Sequence, residues 1–352
     1  MPSDAQRAGR PRLTPPIADV RRAVRGALEG LGPGSGSAAD ALGRTAPAAD
    51  APLVLVALSG GPDSLALAAA TAFEAPRAGL RAGAVIVDHG LQDGSADAAG
   101  RASAQARALG LDPVVVRTVE VSATGDGPEA SARTARYTAL DQVARETGAV
   151  RVLLGHTLDD QAETVLLGLA RGSGAGSLQG MAASSDRYAR PLLGIRRETT
   201  RQACLDANLE PWDDPQNADP AFARVRVRDE VLPVLERELG PGVAEALART
   251  AEQLREDEAA FADQIDEFIE EICEPAEAGI AVSVAALAAN PAALRQRIIR
   301  HVVASEFGTA LSRAQTLEVA RLVTDWHGQG PLDLPGCRAA RVGARLVFSA
   351  AG

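Results

Sequence analysis

Between residues 53 and 170, short apolar runs alternate with longer segments of helical periodicity. The run Leu53–Leu58 has the length of a buried strand, and it precedes a predicted helix over Asp63–Phe73. The alternation then repeats, with predicted strands at 82–87, 113–119 and 151–154 and predicted helices at 95–109, 129–147 and 159–170. Buried strands that alternate with helices form right-handed βαβ units. The pattern therefore predicts an α/β fold built on a doubly wound parallel sheet.

The pattern changes on either side of this region. A helical stripe of apolar residues runs from Ile17 to Leu31, and Gly32–Pro52 has the Gly, Ser, Ala and Pro content of a linker. After residue 240 we predict a long amphipathic helix over 243–272, helices at 291–307 and 312–326, and a small β element at 332–334, 339–342 and 345–348. We expect three parts: an N-terminal helix and flexible linker over 1–52, an α/β domain over 53–240, and a C-terminal helical domain over 241–352.

Composition and charge narrow the class of protein. The chain has 352 residues and a formal net charge of −10, and its basic residues are all arginine. Twelve acids against two arginines between residues 243 and 278 account for that whole excess, so an RNA partner is not excluded. No apolar run has the length of a membrane span, and no secretory signal precedes Pro15. Three scattered cysteines argue against a disulfide framework or a zinc site, so we expect a cytoplasmic protein.

The turn after the first predicted strand has the composition of an anion-binding loop. Ser59-Gly60-Gly61-Pro62-Asp63-Ser64 leads into a helix whose first backbone N–H groups favour an anion. A Walker-type loop needs a lysine after its second glycine, and a dinucleotide-binding turn needs a third glycine where Ser64 and Leu65 stand. The motif resembles the PP-loop of the ATP pyrophosphatases, which cleave ATP between its α and β phosphates. The alternative is a glycine-rich turn that binds no ligand.

Polar side chains also follow the other predicted strands, at the edge where parallel sheets bind their ligands. His89 follows the second strand, and Arg133 and Arg136 lie along one side of the third helix. The fourth strand is followed by His156, Asp159, Asp160 and Glu163. One of the two aspartates can cap the next helix, and either histidine can be structural. A single cap does not explain two adjacent acids together with a histidine and a glutamate, which favours a functional site.

Five motifs in order resemble the tRNA(Ile)-lysidine synthetase family over roughly residues 53–240. They are the PP-loop, Glu129-Ala-Ser-Ala-Arg133, His156 to Thr164 with the following Arg171-Gly-Ser-Gly174, Arg190 to Arg196, and Trp212 to Asn217 with Asp219 to Arg224. The sequence departs from the family pattern at Val225, where relatives often have Asn, and at Gln92, where a basic residue is common. The resemblance implies a PP-loop, adenine nucleotide alpha hydrolase-like fold.

The resemblance also implies a reaction and its participants. ATP with Mg²⁺ would activate C2 of the wobble cytidine of tRNA(Ile) as its adenylate, and the ε-amine of free L-lysine would then displace AMP from C2. ATP would bind the Ser59–Ser64 loop and His89. We assign Asp63 to Mg²⁺ or to the pyrophosphate side, because phosphate binding alone does not explain an acid there; a favourable interaction with the helix dipole is the alternative. The implied catalytic set is Asp63, Arg133, His156, Asp159, Asp160 and Glu163. The acids would hold the lysine ammonium groups, and Arg133 would hold a carboxylate or the α-phosphate.

For tRNA contacts we expect Arg190, Arg224, Arg226 and Arg228, since this arginine-rich stretch could pair with phosphates. Ordinary surface ion pairing is the alternative for these arginines. No membrane partner is expected, and the resemblance leaves a homodimer open. The competing functions are another PP-loop adenylating ligase or tRNA-modifying enzyme, and a nucleotide-binding module without catalysis.

Overall fold

The computed structural model describes residues 13–32, 47–90, 94–119, 128–172, 174–214, 218–276 and 279–351. The chain forms two compact units, Met1–Glu252 and Gln253–Gly352. The domain boundaries expected at residues 52 and 240 stay predictions. Within the described ranges, no helix is both long enough and apolar enough to cross a membrane.

The first unit is built on a five-stranded parallel sheet in the order β3-β2-β1-β4-β5. Its strands are β1 Leu53–Ala57, β2 Arg81–Asp88, β3 Val114–Thr118, β4 Ala149–Leu153 and β5 Tyr188–Ala189. The predicted fold class is confirmed, and four strands lie where the apolar runs predicted them. The fifth strand has only two residues, too few to give a periodic signal.

Ten α-helices are described that lie in the first unit or run across its end, and the first helix after each of the first four strands lies where expected. They are α1 Pro15–Leu28, α2 Pro62–Glu74, α3 Ser95–Ala108, α4 Pro128–Thr147, α5 Leu158–Ala170, α6 Ala175–Leu178, α7 Arg197–Asp206, α8 Ala223–Arg226 and α9 Leu232–Leu239, with α10 Val243–Ile272 running past residue 252. A π-helical turn, Val227–Val231, joins α8 to α9.

The N-terminal helix α1 packs into the core of the first unit. Its residues Ile17, Val20, Val24 and Leu28 are buried against α2 and α7, as the sequence stripe predicted. Arg25 forms a forked ion pair with the buried carboxylate of Glu74 on α2, at 2.9 and 3.0 Å. Helix α1 therefore braces the two helices that carry much of the candidate site.

The second unit combines helices with a five-stranded antiparallel sheet in the order β6-β7-β10-β9-β8. Its elements are β6 Cys273–Ala276, β7 Gly279–Ser283, α11 Val284–Ala289, α12 Ala292–Phe307, α13 Arg313–Thr324, β8 Leu332–Leu334, β9 Cys337–Val342 and β10 Arg345–Ala350. The predicted β element corresponds to β8, β9 and β10. Strands β6 and β7 were not predicted. Strand β6 contains Pro275 and lies in an acidic run that continues the pattern of α10.

Candidate active site

The segment from Ser59 to Ser64 joins β1 to α2 and leaves main-chain donors unused. Ser64 Oγ accepts a hydrogen bond from the Ser59 N–H at 3.2 Å and donates to the Gly61 carbonyl at 3.0 Å. Among the residues that the structure describes, the N–H groups of Gly60, Gly61, Asp63 and Ser64 have no protein acceptor. Unused N–H groups at the positive end of a helix suit an anion, as the sequence predicted.

The segment after β4 is held directly against this loop. A Cβ atom built on Gly155 would lie 3.0 Å from the Ser64 nitrogen and 3.1 Å from its Cα. A side chain at this position would push the loop away, so glycine permits the close approach. The contact places His156 and the residues that follow it beside the anion-binding loop.

Asp63, in the first turn of α2, faces a helix that sequence reasoning had not assigned to the site. Thr200 of α7 donates a hydrogen bond to its carboxylate, and Arg197 Nε lies 3.8 Å away. Burial raises the pKa of Asp63 to about 6, and the nearby charge of Asp160 adds to the rise. Thr200, Arg197 and Arg228 act in the opposite direction.

Asp63 fits a magnesium ion that is shared with a bound phosphate. In the described part of the chain, no group of three His, Cys, Asp or Glu residues could hold a metal by itself. Mg²⁺ usually takes one or two carboxylates together with phosphate oxygens and water. A partly exposed carboxylate next to four unused N–H groups supplies the protein side of such a site.

Each of the two adjacent aspartates caps the first turn of a helix and also pairs with an arginine. Asp160 and Thr157 form a reciprocal capping box at the start of α5, and Asp160 also pairs with Arg197 at 2.8 Å. Burial alone would raise the pKa of Asp160, but Arg197 and the Thr157 hydrogen bonds outweigh it and lower that pKa. Asp159 accepts from the Arg197 backbone N–H at 2.7 Å and pairs with Arg196 at 3.0 Å. Both aspartates therefore cap helices, as the alternative interpretation predicted, and this does not exclude that they also bind a ligand.

Glu163 lies one turn further along α5 and is fully buried among three guanidinium groups. Arg228 and Arg197 lie 2.9 and 3.0 Å from its carboxylate, and Arg224 lies 3.7 Å away. A buried carboxylate of this kind is stable only when it is paired. We name Asp159, Asp160, Glu163, Arg196, Arg197, Arg224 and Arg228 the acid–arginine cluster. Glu163 ties α5 to α7 and to the α8–π segment.

The three alternating arginines of the α8–π segment do not share a direction. Arg224 and Arg228 face Glu163, and Arg224 also donates to Thr164 at 3.0 Å. Arg226 is exposed and donates to the carbonyls of Pro220 and Ala221. The helical conformation separates Arg226 from its neighbours, because side chains two positions apart on a helix lie on different faces.

Two histidines, His89 and His156, line the other side of the site. The Nδ1 atom of each ring is buried and has no hydrogen-bond partner among the described residues. Burial lowers the pKa of His156 to about 4, and Arg190, Arg136 and Arg133 lower it further against the effect of Asp160. Burial and Arg136 likewise lower the pKa of His89. Both imidazoles are therefore uncharged at neutral pH.

Arginines without an acidic partner in the described structure surround these histidines. Arg133 is exposed and stands 5.0 Å from the Tyr137 ring, and Arg136 stands 5.6 Å from the same ring. Arg190 donates to the Ala182 carbonyl at 2.9 Å and contacts the Tyr137 hydroxyl at 3.4 Å. Burial lowers the pKa of Arg136, which marks a guanidinium with little solvent. Desolvated guanidinium groups bind oxyanions strongly.

The site holds more arginines than acids in an acidic protein. Seven arginines, at 133, 136, 190, 196, 197, 224 and 228, lie among six acids, at 63, 159, 160, 163, 236 and 245. The chain as a whole has a net charge of −10. A local excess of positive charge in a cleft attracts polyanions despite the overall charge.

The structure brings together most of the predicted site residues and adds four. Arg197 and Thr200 belong to a helix with no chemical motif of its own, Arg136 was noticed only as part of a helical face, and Arg196 only as the end of the Arg190 motif. Arg197 contacts Asp160 and Glu163 and lies near Asp63. The sequence marked Arg197 only as one of the arginines in the arginine-rich stretch 187–230. Glu129 and the 215–217 part of the Trp212 motif lie outside the described side chains.

Comparisons with known proteins agree with this architecture. A model of the PP-loop domain matches residues 38–235, and a model of the TilS substrate binding domain matches residues 283–347. Among solved structures, the U34-tRNA thiolase NcsA from Methanococcus maripaludis is similar with a TM-score of 0.53 and 19% identity, over 68% of this chain and 80% of that one. At that identity the likeness establishes the fold alone.

Sequence relatives are much closer. A tRNA(Ile)-lysidine synthase from Leifsonia xyli subsp. xyli is 64% identical over 87% of this chain and 92% of its own length. One from Thermobifida fusca is 52% identical over 93% of this chain and 95% of its own length. One from Streptomyces coelicolor is 55% identical over 85% of each chain.

The parallel sheet, the loop of unused N–H groups after its central strand and the matched domain define a PP-loop protein. The similarity to the curated relatives covers nearly the whole chain. The chain belongs to the tRNA(Ile)-lysidine synthase family. The family resemblance inferred from the motifs is confirmed.

Proposed function

We propose that this protein joins free L-lysine to C2 of the wobble cytidine of tRNA(Ile) at the expense of ATP. In the first step the cytidine O2 attacks the α-phosphate, and pyrophosphate leaves. In the second step the lysine ε-amine attacks C2, the C2–O2 bond breaks, and AMP leaves with that oxygen. The amine gives up a proton to form the neutral C–N bond. The observation that carries the proposal is the set of unused N–H groups at Gly60, Gly61, Asp63 and Ser64.

ATP use follows from the PP-loop domain, and the residue roles are part of the proposal. The loop from Ser59 to Ser64 holds the departing pyrophosphate, and His89 lines the nucleotide side of the site. Asp63 holds Mg²⁺, which neutralises charge on the phosphates when bound. Asp63 suits this role because Thr200 fixes its carboxylate beside the loop.

The acids contribute in two different ways. Glu163 is fully buried under three arginines, so it positions Arg197 and Arg228 and does not receive the substrate amine directly. Asp159 and Asp160 retain some exposure, and they bind the lysine ammonium groups by exchanging part of their arginine contacts. His156 and the two aspartates are the candidates to accept the proton of the amine. The surrounding positive charge assists by favouring the free amine.

The arginines divide in the same manner. Arg133 holds the lysine carboxylate or the α-phosphate, and Arg136 and Arg190 stand beside it with no acidic partner in the described residues. Arg224 and Arg228 act through Glu163. Exposed Arg226 contacts main-chain carbonyls and no acid in the described structure, and it contacts a tRNA phosphate. The second unit matches the TilS substrate binding domain, which supports a tRNA partner.

Pyrophosphate release from ATP tests the proposal and separates it from its competitors. Purified protein is assayed with tRNA(Ile) and lysine, with each alone, and with neither. We expect release only when tRNA(Ile) is present, and lysidine only when lysine is present too. Release without tRNA would favour another adenylating ligase, and ATP binding without release would favour a regulatory module. We propose a cytoplasmic location, where these substrates occur, and light scattering distinguishes a monomer from a homodimer.

A further inference from the structure

A short segment after α7, which is neither helix nor strand, contacts the anion-binding loop through the main chain. We name residues 209–214 the strap. The Trp212 N–H donates to the Gly60 carbonyl at 2.9 Å. Cβ atoms built on the two loop glycines would lie 4.0 Å from the Trp212 Cβ and 3.9 Å from its carbonyl oxygen, for Gly60 and Gly61 respectively. The strap therefore forms one wall of the loop.

This hydrogen bond fixes the direction of one peptide group of the loop. Gly60 has φ of +87° and can rotate more freely than any other residue type. In a planar trans peptide the C=O and the following N–H point in opposite directions. Holding the Gly60 carbonyl against the strap thus turns the Gly61 N–H away from the strap. Gly61 is one of the residues whose N–H has no acceptor in the described chain.

Two neighbouring helices anchor the strap on either side of Trp212. The Gln105 side-chain amide of α3 donates to the Glu210 carbonyl at 3.1 Å and accepts from the Glu210 N–H at 3.4 Å. Arg201 of α7 forms a forked pair with Asp213, with its shorter contacts at 2.9 and 3.0 Å. The Glu210 contacts are made by its main chain. The strap is thereby held at both ends, on elements that do not contain the loop.

We propose that the strap is a latch for the phosphate loop, in which Trp212 is a positioning residue that aims the Gly61 N–H at the pyrophosphate portion of the nucleotide. Gln105 and the Arg201–Asp213 pair keep the latch closed. The proposal rests on the assignment of the loop to pyrophosphate in the proposed function. It goes beyond that function by giving the Trp212 segment a mechanical role in nucleotide binding.

Comparing proline with alanine at position 212 isolates the hydrogen bond from the Trp212 N–H to the Gly60 carbonyl. Trp212→Ala loses the indole and keeps the N–H, whereas Trp212→Pro loses both. Calorimetric titration with Mg²⁺ and inorganic pyrophosphate should show about tenfold weaker binding for Trp212→Pro than for Trp212→Ala. AMP, which lacks the leaving phosphates, should bind the two variants equally. Folded variants that bind pyrophosphate within twofold of each other would overturn the proposal.

For a second variant, Asp213→Asn, the latch and simple electrostatics predict opposite changes in pyrophosphate affinity. Removing an acid near a phosphate site should strengthen anion binding, yet Asp213→Asn opens the Arg201 anchor and should weaken pyrophosphate binding about threefold. Glu210→Gln is the matched control, because it removes a strap carboxylate that has no partner among the described residues; its pyrophosphate affinity should be unchanged or slightly higher. If Trp212→Pro fails to fold, the Asp213→Asn result alone decides, and unchanged or stronger binding by that variant rejects the latch.

A failure of the latch proposal can be distinguished from a failure of the proposed reaction. Wild-type protein that makes no lysidine but shows the proline effect on pyrophosphate binding would reject the reaction and keep the latch. Wild-type protein that makes lysidine, with proline and alanine variants of equal pyrophosphate affinity, would keep the reaction and reject the latch.

Discussion

The two halves of the candidate site satisfy their polar groups in contrasting ways. The loop from Ser59 to Ser64 leaves four backbone donors without a protein partner in the described structure. The acid–arginine cluster, whose Arg197 lies 3.8 Å from the Asp63 carboxylate, pairs every one of its carboxylates with at least one arginine. The first half is thus ready to receive an anion, whereas the second binds a charged substrate by exchanging existing contacts.

This difference matters for how each half depends on its residues. Backbone donors without an acceptor destabilise the free protein. A bound phosphate accepts hydrogen bonds from them and thereby stabilises the complex. Paired buried charges hold the surrounding helices in place, and removal of one partner leaves another charge unpaired. Substitutions in the loop should therefore reduce activity without unfolding the protein, while substitutions in the cluster should affect both.

The largest effect is expected at Asp63, which belongs to the loop half. Asp63→Ala should lower the rate of lysidine formation by roughly a thousandfold, because it removes the carboxylate that holds Mg²⁺ against the phosphates. Circular dichroism and the melting temperature should show an intact fold. A variant with wild-type turnover would remove Asp63 from the mechanism.

Glu163 tests the cluster half by breaking its buried centre. Glu163→Gln should lower the free energy of unfolding by about 3 kcal/mol in urea denaturation at pH 7, since three guanidinium groups lose their common partner. Glu198→Gln is the control, because it makes the same change on an exposed carboxylate of α7 and should stay within about 0.5 kcal/mol. Equal stability of the two variants would refute a structural role for Glu163.

The raised pKa of Asp63 predicts a pH-dependent cost to stability. The folded pKa is about 6 and the ordinary value is 3.8, so the folded state binds the proton more tightly. Stability should therefore fall as pH rises from about 4 to about 6 and then level off. Asp63→Asn should be more stable than wild type by about 2 kcal/mol at pH 7 and similar to it near pH 4. Unfolding curves of the two proteins with parallel pH dependence would contradict this.

Thr200 should show a smaller effect that depends only on its hydroxyl group. Thr200→Val keeps the shape of the side chain but removes the donor to Asp63, so kcat/KM for ATP should fall about tenfold. Thr200→Ser keeps the donor and should remain within about twofold. If serine and valine reduce kcat/KM equally, packing and not the hydrogen bond explains the position.

The smallest effect is expected at Arg226, outside both halves. Arg226→Ala should weaken tRNA binding several-fold and reduce the slope of log affinity against log salt by about one, as expected for one lost phosphate contact. Filter binding at several salt concentrations measures both quantities. An unchanged slope would return Arg226 to the role of an ordinary surface residue.

Much of this site could be predicted because its residues lie in local patterns. The strand-loop-helix around Gly60 and the acids after β4 are contiguous in sequence, and parallel strands bring their ends to one edge. Periodicity likewise located α1 through Ile17, Val20 and Val24. These are features that short stretches of chain determine by themselves.

The rest depends on contacts between distant segments. Arg197 meets Glu163 across 34 positions, and Thr200 meets Asp63 across 137. Neither pairing leaves a periodic or compositional trace. Tertiary contacts of this kind cannot be read from local preference. Strand β6 is a different case, because its partner β7 is the next element of the chain, and the pairing makes a strand of a Cys-Glu-Pro-Ala sequence that has no strand pattern.

The order of the two chemical steps gives the most direct test of the central claim, that a loop of unused N–H groups binds and releases the pyrophosphate of ATP. ATP labelled in its α-phosphate is incubated with the protein and tRNA(Ile) in the absence of lysine. We predict that label becomes attached to the wobble cytidine with release of one pyrophosphate, and that added lysine then discharges it as AMP. Label that attaches to lysine, or pyrophosphate that forms without tRNA, would contradict the account.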